Sequence, residues 1–327
     1  MQGRKTKVSV IVVNFNGMPH LEACLSSIRN QTYQDLEVIF VDNASTDGSL
    51  DYARRRFPNL LIIENKENLG YPGGINRGVA MATGEYIAPI NFDTEVDQDW
   101  LACMVAFMDE NPSVGAVTPK SLLYHDRTKI GTLGLNIHIT GLGFARGLGQ
   151  ADSESPHNPL RVAGVSGCSF LIRREILEQM GGLNEDIFMY YDDVDLSWTI
   201  NSMGYEIYCL PESIVYHKYD LRMSSEKLFS LEHGRLNLLL RYMKPLTFVL
   251  CLPALLLTEL LVMGYCVARG RRYVSAKLRA LVSPFKDIRR LMKKRSEAQR
   301  LRRISDFQLL SRLQLNYEWR QLFHILR

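Results

Sequence analysis

Three carboxylates fall within four residues, Asp192, Asp193 and Asp195, inside an aromatic run from Phe188 to Trp198. Like charges this close repel, so the cluster costs stability unless partners or a task hold it. Helical spacing resumes with Leu196 and Ile200, which puts the acids at a helix N-terminus, where capping accounts for one of them but not for all. One carboxylate could serve as general base on an acceptor hydroxyl if the fold sets it opposite a second polar site. Asn91-Phe92-Asp93 offers that second site. Asp93 could hold Mg²⁺ or Mn²⁺ against a diphosphate leaving group, with a buried helix cap as the plainer alternative. His217 closes the apolar run Ile214-Val215-Tyr216 and could add an imidazole ligand, or serve only the structure.

The elements that must position these groups alternate. Strand-like runs over 7–13, 36–41, 60–63 and 85–90 are separated by helical spacing after residue 20, after Gly48 and across 70–81, and a further helix covers 100–109. Extended segments follow at 114–118 and 205–210. Such β-α-β alternation predicts an α/β fold with a mostly parallel sheet covered by helices, in which ligands bind beyond the carboxyl ends of the strands. Asn14, Asp42 and Asp93 each follow a different strand. The first strand runs into Asn-Phe-Asn-Gly-Met-Pro instead of G-x-G-x-x-G, which argues against dinucleotide binding. The glycines come later, between Asn68 and Gly78, where they could bring backbone N–H groups to a phosphate or simply make a turn.

Taken in order, Val-Asn-Phe-Asn-Gly (13–17), Val-Asp-Asn-Ala-Ser-Thr-Asp-Gly-Ser (41–49), Asn-Leu-Gly-Tyr-Pro-Gly-Gly-Ile-Asn-Arg-Gly (68–78), Asn-Phe-Asp (91–93), Gly-Gly-Leu-Asn-Glu (181–185), Phe-Met-Tyr-Tyr-Asp-Asp-Val-Asp-Leu-Ser-Trp (188–198) and His217 resemble the motifs of family 2 glycosyltransferases, nearest the rhamnosyltransferase-like branch. The resemblance implies a GT-A fold, a nucleotide-diphospho-sugar donor, a divalent metal and inversion at the anomeric carbon. It implies that Asp42 meets the nucleotide base and Asn14 lines its pocket, with Asn16, Asn43 and Ser45 beside them. Asn68, Gly70, Gly73, Gly74 and Asn76 would flank the sugar-diphosphate, and Asn91 would accompany Asp93. Asp93 would bind the metal, His217 the metal or diphosphate, and Asp193 would be the base, with Asp192 its partner and alternative. The acceptor implied is a glycan or a polyprenyl-linked saccharide. A polyprenyl-phosphate glycosyltransferase and a non-catalytic membrane scaffold remain as other readings.

The resemblance covers about residues 6–220, read as a catalytic domain with a nucleotide-sugar half (6–110) and an acceptor half (111–220), leaving a helical region over 221–327. Charge is divided the same way. The 327 residues carry a net +4, but residues 269–303 hold 14 Lys or Arg against 2 Asp or Glu, so a +12 stretch follows a body of −8. Before it lie 23 apolar residues, 246–268, interrupted only by Pro253 and Glu259. They are long enough to cross a hydrocarbon core, yet both flanks are basic, so the expectation is a re-entrant or interfacial hairpin broken near Pro253. Beyond it, helically spaced Leu278, Leu281, Phe285, Ile288 and Met292 among cations predict an amphipathic tail, 269–327, on an anionic leaflet, starting a new helix at Ser283-Pro284. No RNA-binding motif accompanies the charge, so nucleic acid is not the expected partner. The six scattered cysteines suggest neither disulfides nor zinc, and the protein is expected at the cytoplasmic face of the membrane.

Overall fold

The computed structural model describes residues 7–218 and 222–325. The expected domain division at residue 220 falls outside them, as do both ends of the chain.

Among the described residues twelve strands are formed: β1 (Val8–Asn14), β2 (Leu36–Asp42), β3 (Leu61–Glu64), β4 (Tyr86–Asn91), β5 (Thr94–Val96), β6 (Val114–Leu123), β7 (Asp126–Thr132), β8 (Leu135–Ile137), β9 (Gly143–Ala145), β10 (Leu160–Arg161), β11 (Leu171–Arg173) and β12 (Glu206–His217). The main sheet runs β10-β12-β6-β11-β4-β1-β2-β3, with β5 added to β12 and β7 to β6. Pairings β4-β1-β2-β3 and β6-β12 are parallel, while β11 lies antiparallel between β4 and β6. The sheet is therefore mixed and mostly parallel, as expected. Every residue of β1 is buried, which is why, apart from Ser9 and the terminal Asn14, its sequence is apolar and not alternating.

Helices α1 (Leu21–Arg29), α2 (Ser49–Arg56), α3 (Gly70–Met81), α4 (Trp100–Glu110), α5 (Arg174–Met180) and α6 (Asp192–Ser202) cover the sheet. The remaining six are α7 (Ser225–Tyr242), α8 (Pro245–Arg269), α9 (Arg271–Val282), α10 (Ile288–Leu301), α11 (Asp306–Leu310) and α12 (Trp319–Ile325). Two apolar cores flank the sheet, and a third, containing Trp198, Leu238, Tyr242 and Leu255, joins α6 to α7 and α8.

Two expectations are corrected here. The run 205–210 and the segment ending at His217 are a single strand, β12, whose register shifts between Leu210 and Ile214. The irregularity re-aims the second half, which pairs with β5 and sets His217 opposite Thr94. The break expected at Pro253 is also absent, because α8 is one helix of 25 residues. Proline removes the hydrogen bond to the carbonyl four residues back and crowds it, and that residue, Val249, is 63% exposed, where water can take the freed carbonyl. Meanwhile α8 is tied to the body at Thr247, by Asp306, and at Glu259, by Arg235 and Lys277. The chain reverses instead at Gly270, whose φ of +102° suits glycine.

The basic stretch is likewise not all free. Asp287, not Ser283, caps α10, and Arg290 and Lys294 pair with Asp186. Arg241 on α7 pairs with Asp195. Residues after α11 return to the body, where Gln314 exchanges backbone hydrogen bonds with Ile137 and Ile139. The helical region therefore packs directly on the sheet domain.

Candidate active site

At the carboxyl end of β1, Asn14 sits in register with Asp42 of β2, and its Nδ2 lies 2.9 Å from Asp42 Oδ1, 2.9 Å from Ser45 Oγ and 2.8 Å from Ser49 Oγ. Asp42 Oδ2 accepts from Ser45 N at 2.9 Å. Asp42 is 1% exposed, so it braces the 43–48 loop from below. The loop's outer edge is built by Asn16, in the left-handed region at φ +52°, whose Oδ1 accepts from Thr46 N and whose N donates to Ser45 Oγ. Asn43 is buried and reaches across to Gly70 O at 2.9 Å and to Asn65.

The glycine run does something different from phosphate cradling. Gly73 and Gly74 lie buried inside α3; a Cβ on Gly74 would stand 2.6 Å from Val13 Cγ1, and one on Gly73 2.7 Å from Leu69 Cβ. They allow close packing of the helix. Its first N–H groups are already taken, Gly70 N by Asn68 Oδ1 and Tyr71 N by Phe188 O, both at 2.9 Å. Asn76 is committed to the 182–185 loop through Leu183 and Glu185. Gly70 itself, at φ +72°, lets Phe188 O approach where a Cβ would be 2.2 Å away. This end of α3 thus clasps the acidic loop and offers no open anion cradle.

Asn91 ends β4, and the turn behind it presents Asp93. Asp93 Oδ1 is buried and, among the described residues, is approached only by His217 Nε2, at 3.4 Å. Burial would lower the His217 pKa, but the neighbouring Cys168 and Asp93 outweigh it and push it up to about 10. Phe92 lies against Gly17, whose Cβ would also meet Asn14 Oδ1 at 2.3 Å, so the 14–17 and 91–93 turns are in contact. Asn14 Oδ1 is a second buried oxygen without a donor.

The acidic loop approaches from the other side. Tyr190 and Tyr191 adopt φ of +63° and +69°, each at a cost of about 1–3 kcal/mol for a non-glycine residue. Tyr191 is held there by its hydroxyl on Gly141 O at 2.6 Å and by packing on Gly234, where a Cβ would come within 2.5 Å of its ring. The kink starts α6 at Asp192. Asp193 accepts from Val194 N at 2.8 Å and Gly167 N at 3.2 Å. Both carboxylates flank Gly167, since a Cβ there would be 3.4 Å from Asp193 Oδ2 and 3.5 Å from Asp192 Oδ2. Burial and the charge of Asp193 push Asp192 up to about 8; burial raises Asp193 as well, and the N–H groups of Val194 and Gly167 offset only part of that rise. Asp195 is spent on Arg241, which accounts for the third acid.

Segment 166–168 joins the two sides. Gly167 touches the acid pair, and Cys168 O accepts from Asn91 N at 2.9 Å beside His217. Tyr71 OH donates to Gly167 O at 2.9 Å; burial and then Asp192 raise its pKa well above the ordinary value, and Asp193 and Asp93 add to the rise. Sequence reading missed Tyr71 and Gly167 as site residues. Tyr71 stood within a quoted motif, but 166–168 carries no local signal because its role depends on sheet topology. His20, with its ring 6.3 Å from Phe92 in a stacked arrangement, borders the same place.

Among the described residues no group of three or more His, Cys, Asp or Glu is arranged to hold a metal. Asp93 and His217 still fit a divalent ion whose other ligands come from a bound diphosphate and water, because the buried oxygen of Asp93 meets only the His217 ring, itself a possible ligand, among the described residues.

Comparison with known proteins accords with this geometry. The chain is 26% identical over 233 residues to N-acetylglucosaminyl-diphospho-decaprenol L-rhamnosyltransferase of Mycobacterium tuberculosis, covering 64% of this chain and 75% of that protein. Among solved structures, mannosyltransferase PcManGT of Pyrobaculum calidifontis, in complex with GDP-Man and Mn²⁺, aligns with a TM-score of 0.56 at 24% identity, over 91% of this chain and 87% of the other. TarS 1-349 of S. aureus, in complex with UDP, aligns with a TM-score of 0.58 at 15% identity, over 92% and 94%. At such identities these structures speak to the GT-A-like fold alone. The family model Glycosyl transferase family 2 matches residues 9–181, more than half of the chain, so the protein belongs to that family and is a glycosyltransferase.

Proposed function

We propose that the protein transfers a sugar from a nucleotide-diphospho-sugar to a hydroxyl of a lipid-linked saccharide, with inversion, at the cytoplasmic face of a membrane. The observation that carries this reading is the meeting of the Asp93–His217 pair and the Asp192–Asp193 pair on opposite sides of segment 166–168. The relative that acts on a diphospho-decaprenol compound and the neighbour holding GDP-Man with Mn²⁺ supply the substrate classes.

Asp93 and His217 would hold a divalent cation. When bound, it would neutralise charge on the departing diphosphate. Asn16 and Ser45 edge the loop where the nucleotide base would lie, and Asn14 and Asp42 fix that loop from beneath. Asn91 and Asp93 face the diphosphate side, and the α3 start carrying Asn68 and Gly70 supports the acceptor loop. Asp193, ionised and oriented by two N–H donors, takes the proton of the acceptor hydroxyl as that oxygen attacks the anomeric carbon opposite the leaving group.

Purified protein titrated with nucleotide-sugars in Mn²⁺ tests the donor side. Asp93→Asn is expected to weaken metal-dependent binding at least about a hundredfold, since losing even a group behind a metal ligand costs about 10–100-fold. Unchanged binding in the variant would remove Asp93 from the site.

The membrane side rests on the exposed apolar face of α8, which includes Leu246, Val249, Leu250, Leu256 and Leu260, each more than half exposed. It continues through Leu278, Val282, Phe285, Ile288 and Met292, flanked by Arg271, Arg272, Lys286, Arg289 and Lys293, which have no ion pair among the described residues. Each leucine inserted is worth about 1.5–3 kcal/mol. Leu250→Glu with Leu260→Glu should therefore lower cosedimentation with anionic vesicles more than tenfold, to about 1% or less of the wild-type partition. Full vesicle binding by that variant would refute this face as the anchor.

A further inference from the structure

Away from the carboxyl edge of the sheet lies a cavity of about 490 Å³, a size that suits a small organic ligand. It opens beside β10, at the sheet border farthest from β3, and reaches Asn201 near the end of α6. Nine residues of helix, about 13 Å, separate Asn201 from Asp192. Arg146, Arg161 and Arg312 all line it, and no carboxylate does.

The arginines are held by different means. Arg312 donates to the backbone carbonyls of Asn201 and Gly204 at 3.3 and 3.1 Å and to that of Tyr205, which terminates α6 and fixes the guanidinium. Arg161 pairs with Glu206 at 3.0 Å outside the lining, and Arg146 meets only Arg161 O, at 3.4 Å, among the described residues. Glu318 bonds the lining residue Asn136 and no arginine. Burial, and next the nearby Arg161, lower the pKa of Arg312, as expected where like charges meet. Gln314, pinned by its backbone to β8 and its continuation, contributes a buried Nε2 with no acceptor. Three guanidinium groups lining one space with no carboxylate in the lining, and a buried amide N–H behind it, suit an anion with several acceptor oxygens.

We infer that this cavity is a second ligand site, separate from the donor cleft, that binds a phosphate ester or diphosphate through Arg146, Arg161, Arg312 and Gln314. The planar guanidinium forks suit phosphate oxygens, and the fixed Arg312 limits the ordering that binding requires. The same chemistry is offered by a soluble nucleotide and by a lipid headgroup.

The test is calorimetric titration of the full chain with inorganic pyrophosphate in the presence of EDTA. Saturable binding is expected, weakened at least about tenfold in Arg146→Ala/Arg161→Ala and unchanged in Asp93→Asn, because losing one charge-assisted hydrogen bond is worth about that factor. Should the double variant melt early, Arg161→Gln alone, at a half-exposed side chain, gives the same comparison with less risk to the fold. Displacement of pyrophosphate by nucleoside monophosphates assigns the site to a free phosphate ester, and displacement by phosphatidylglycerol vesicles to a headgroup. Absence of saturable binding, equal binding by the double variant, loss in Asp93→Asn, or displacement by neither competitor overturns the inference.

Discussion

Asp193→Asn is expected to reduce transfer about 10²–10⁴-fold while leaving nucleotide affinity unchanged. The asymmetry of the acid pair is the reason. The N–H groups of Val194 and Gly167 favour the ionised form of Asp193, whereas Asp192, with only its own backbone N–H, is pushed up to about 8 by burial and its neighbour's charge. Repulsion between the two buried carboxylates therefore disfavours a second charge on the pair near neutral pH, and the backbone donors favour placing the one charge on Asp193. Asp192→Asn imitates the protonated partner, so it should keep most activity at pH 7 and remove a decline above pH 8 caused by a second charge. The sign for stability follows. Because the folded-state pKa of Asp192 lies above its ordinary 3.8, stability declines as pH rises from about 4 to about 8. Asp192→Asn should thus melt higher than wild type at pH 8, by about 2–4 °C for each kcal/mol recovered. Steady-state kinetics and melting of both variants across pH 5–9 check this, and inactivation by Asp192→Asn with full activity in Asp193→Asn would exchange their roles.

Arg235→Ala carries the largest expected loss of stability. Arg235 is 1% exposed and forks onto Glu232 at 2.8 and 2.7 Å, while Glu259 of α8 and Lys277 of α9 complete a cluster of two acids and two bases. Removing one cation leaves a buried negative charge uncompensated, which typically costs about 3–5 kcal/mol. Burial opposes ionisation of Glu232, but Arg235 and Lys277 overcome it and hold the pKa down to about 2. The wild-type contribution is therefore fully present above the ordinary 4.5 and is lost as pH falls through about 2, so the gap between wild type and variant should be wide at pH 7, begin to close below about 4.5 and be narrow near pH 2. Denaturant titrations at the two pH values test it, and a gap independent of pH would show that packing, not charge, is lost.

Much of this was legible in the sequence where chemistry and local structure coincide. Asp93 follows the end of β4, His217 ends β12, and Asp192 and Asp193 open a helix, so periodicity alone placed them at element ends. What escaped was set by partners distant in the chain. Asp195 is answered by Arg241, 46 residues on, and Glu259, which seemed to weaken an apolar span, is answered by Arg235 and Lys277. The glycines of α3 look the same in sequence whether they face a phosphate or Val13, and only the docking of helix on strand decides. Pro253 reads as a breaker because sequence shows the lost hydrogen bond but not the ties on either side of it.

The seating of Tyr191 on Gly234 bears on how far the polypeptide can be shortened. A fragment ending after β12 would keep Asp93, His217 and the acid pair but lose α7, the wall that keeps two tyrosines in the left-handed region. The strain stored there would relax by turning the start of α6, and with it Asp193. The smallest working enzyme must then extend past α7, and any exchange of the membrane-facing helices for those of another protein would have to bring along a glycine in that place.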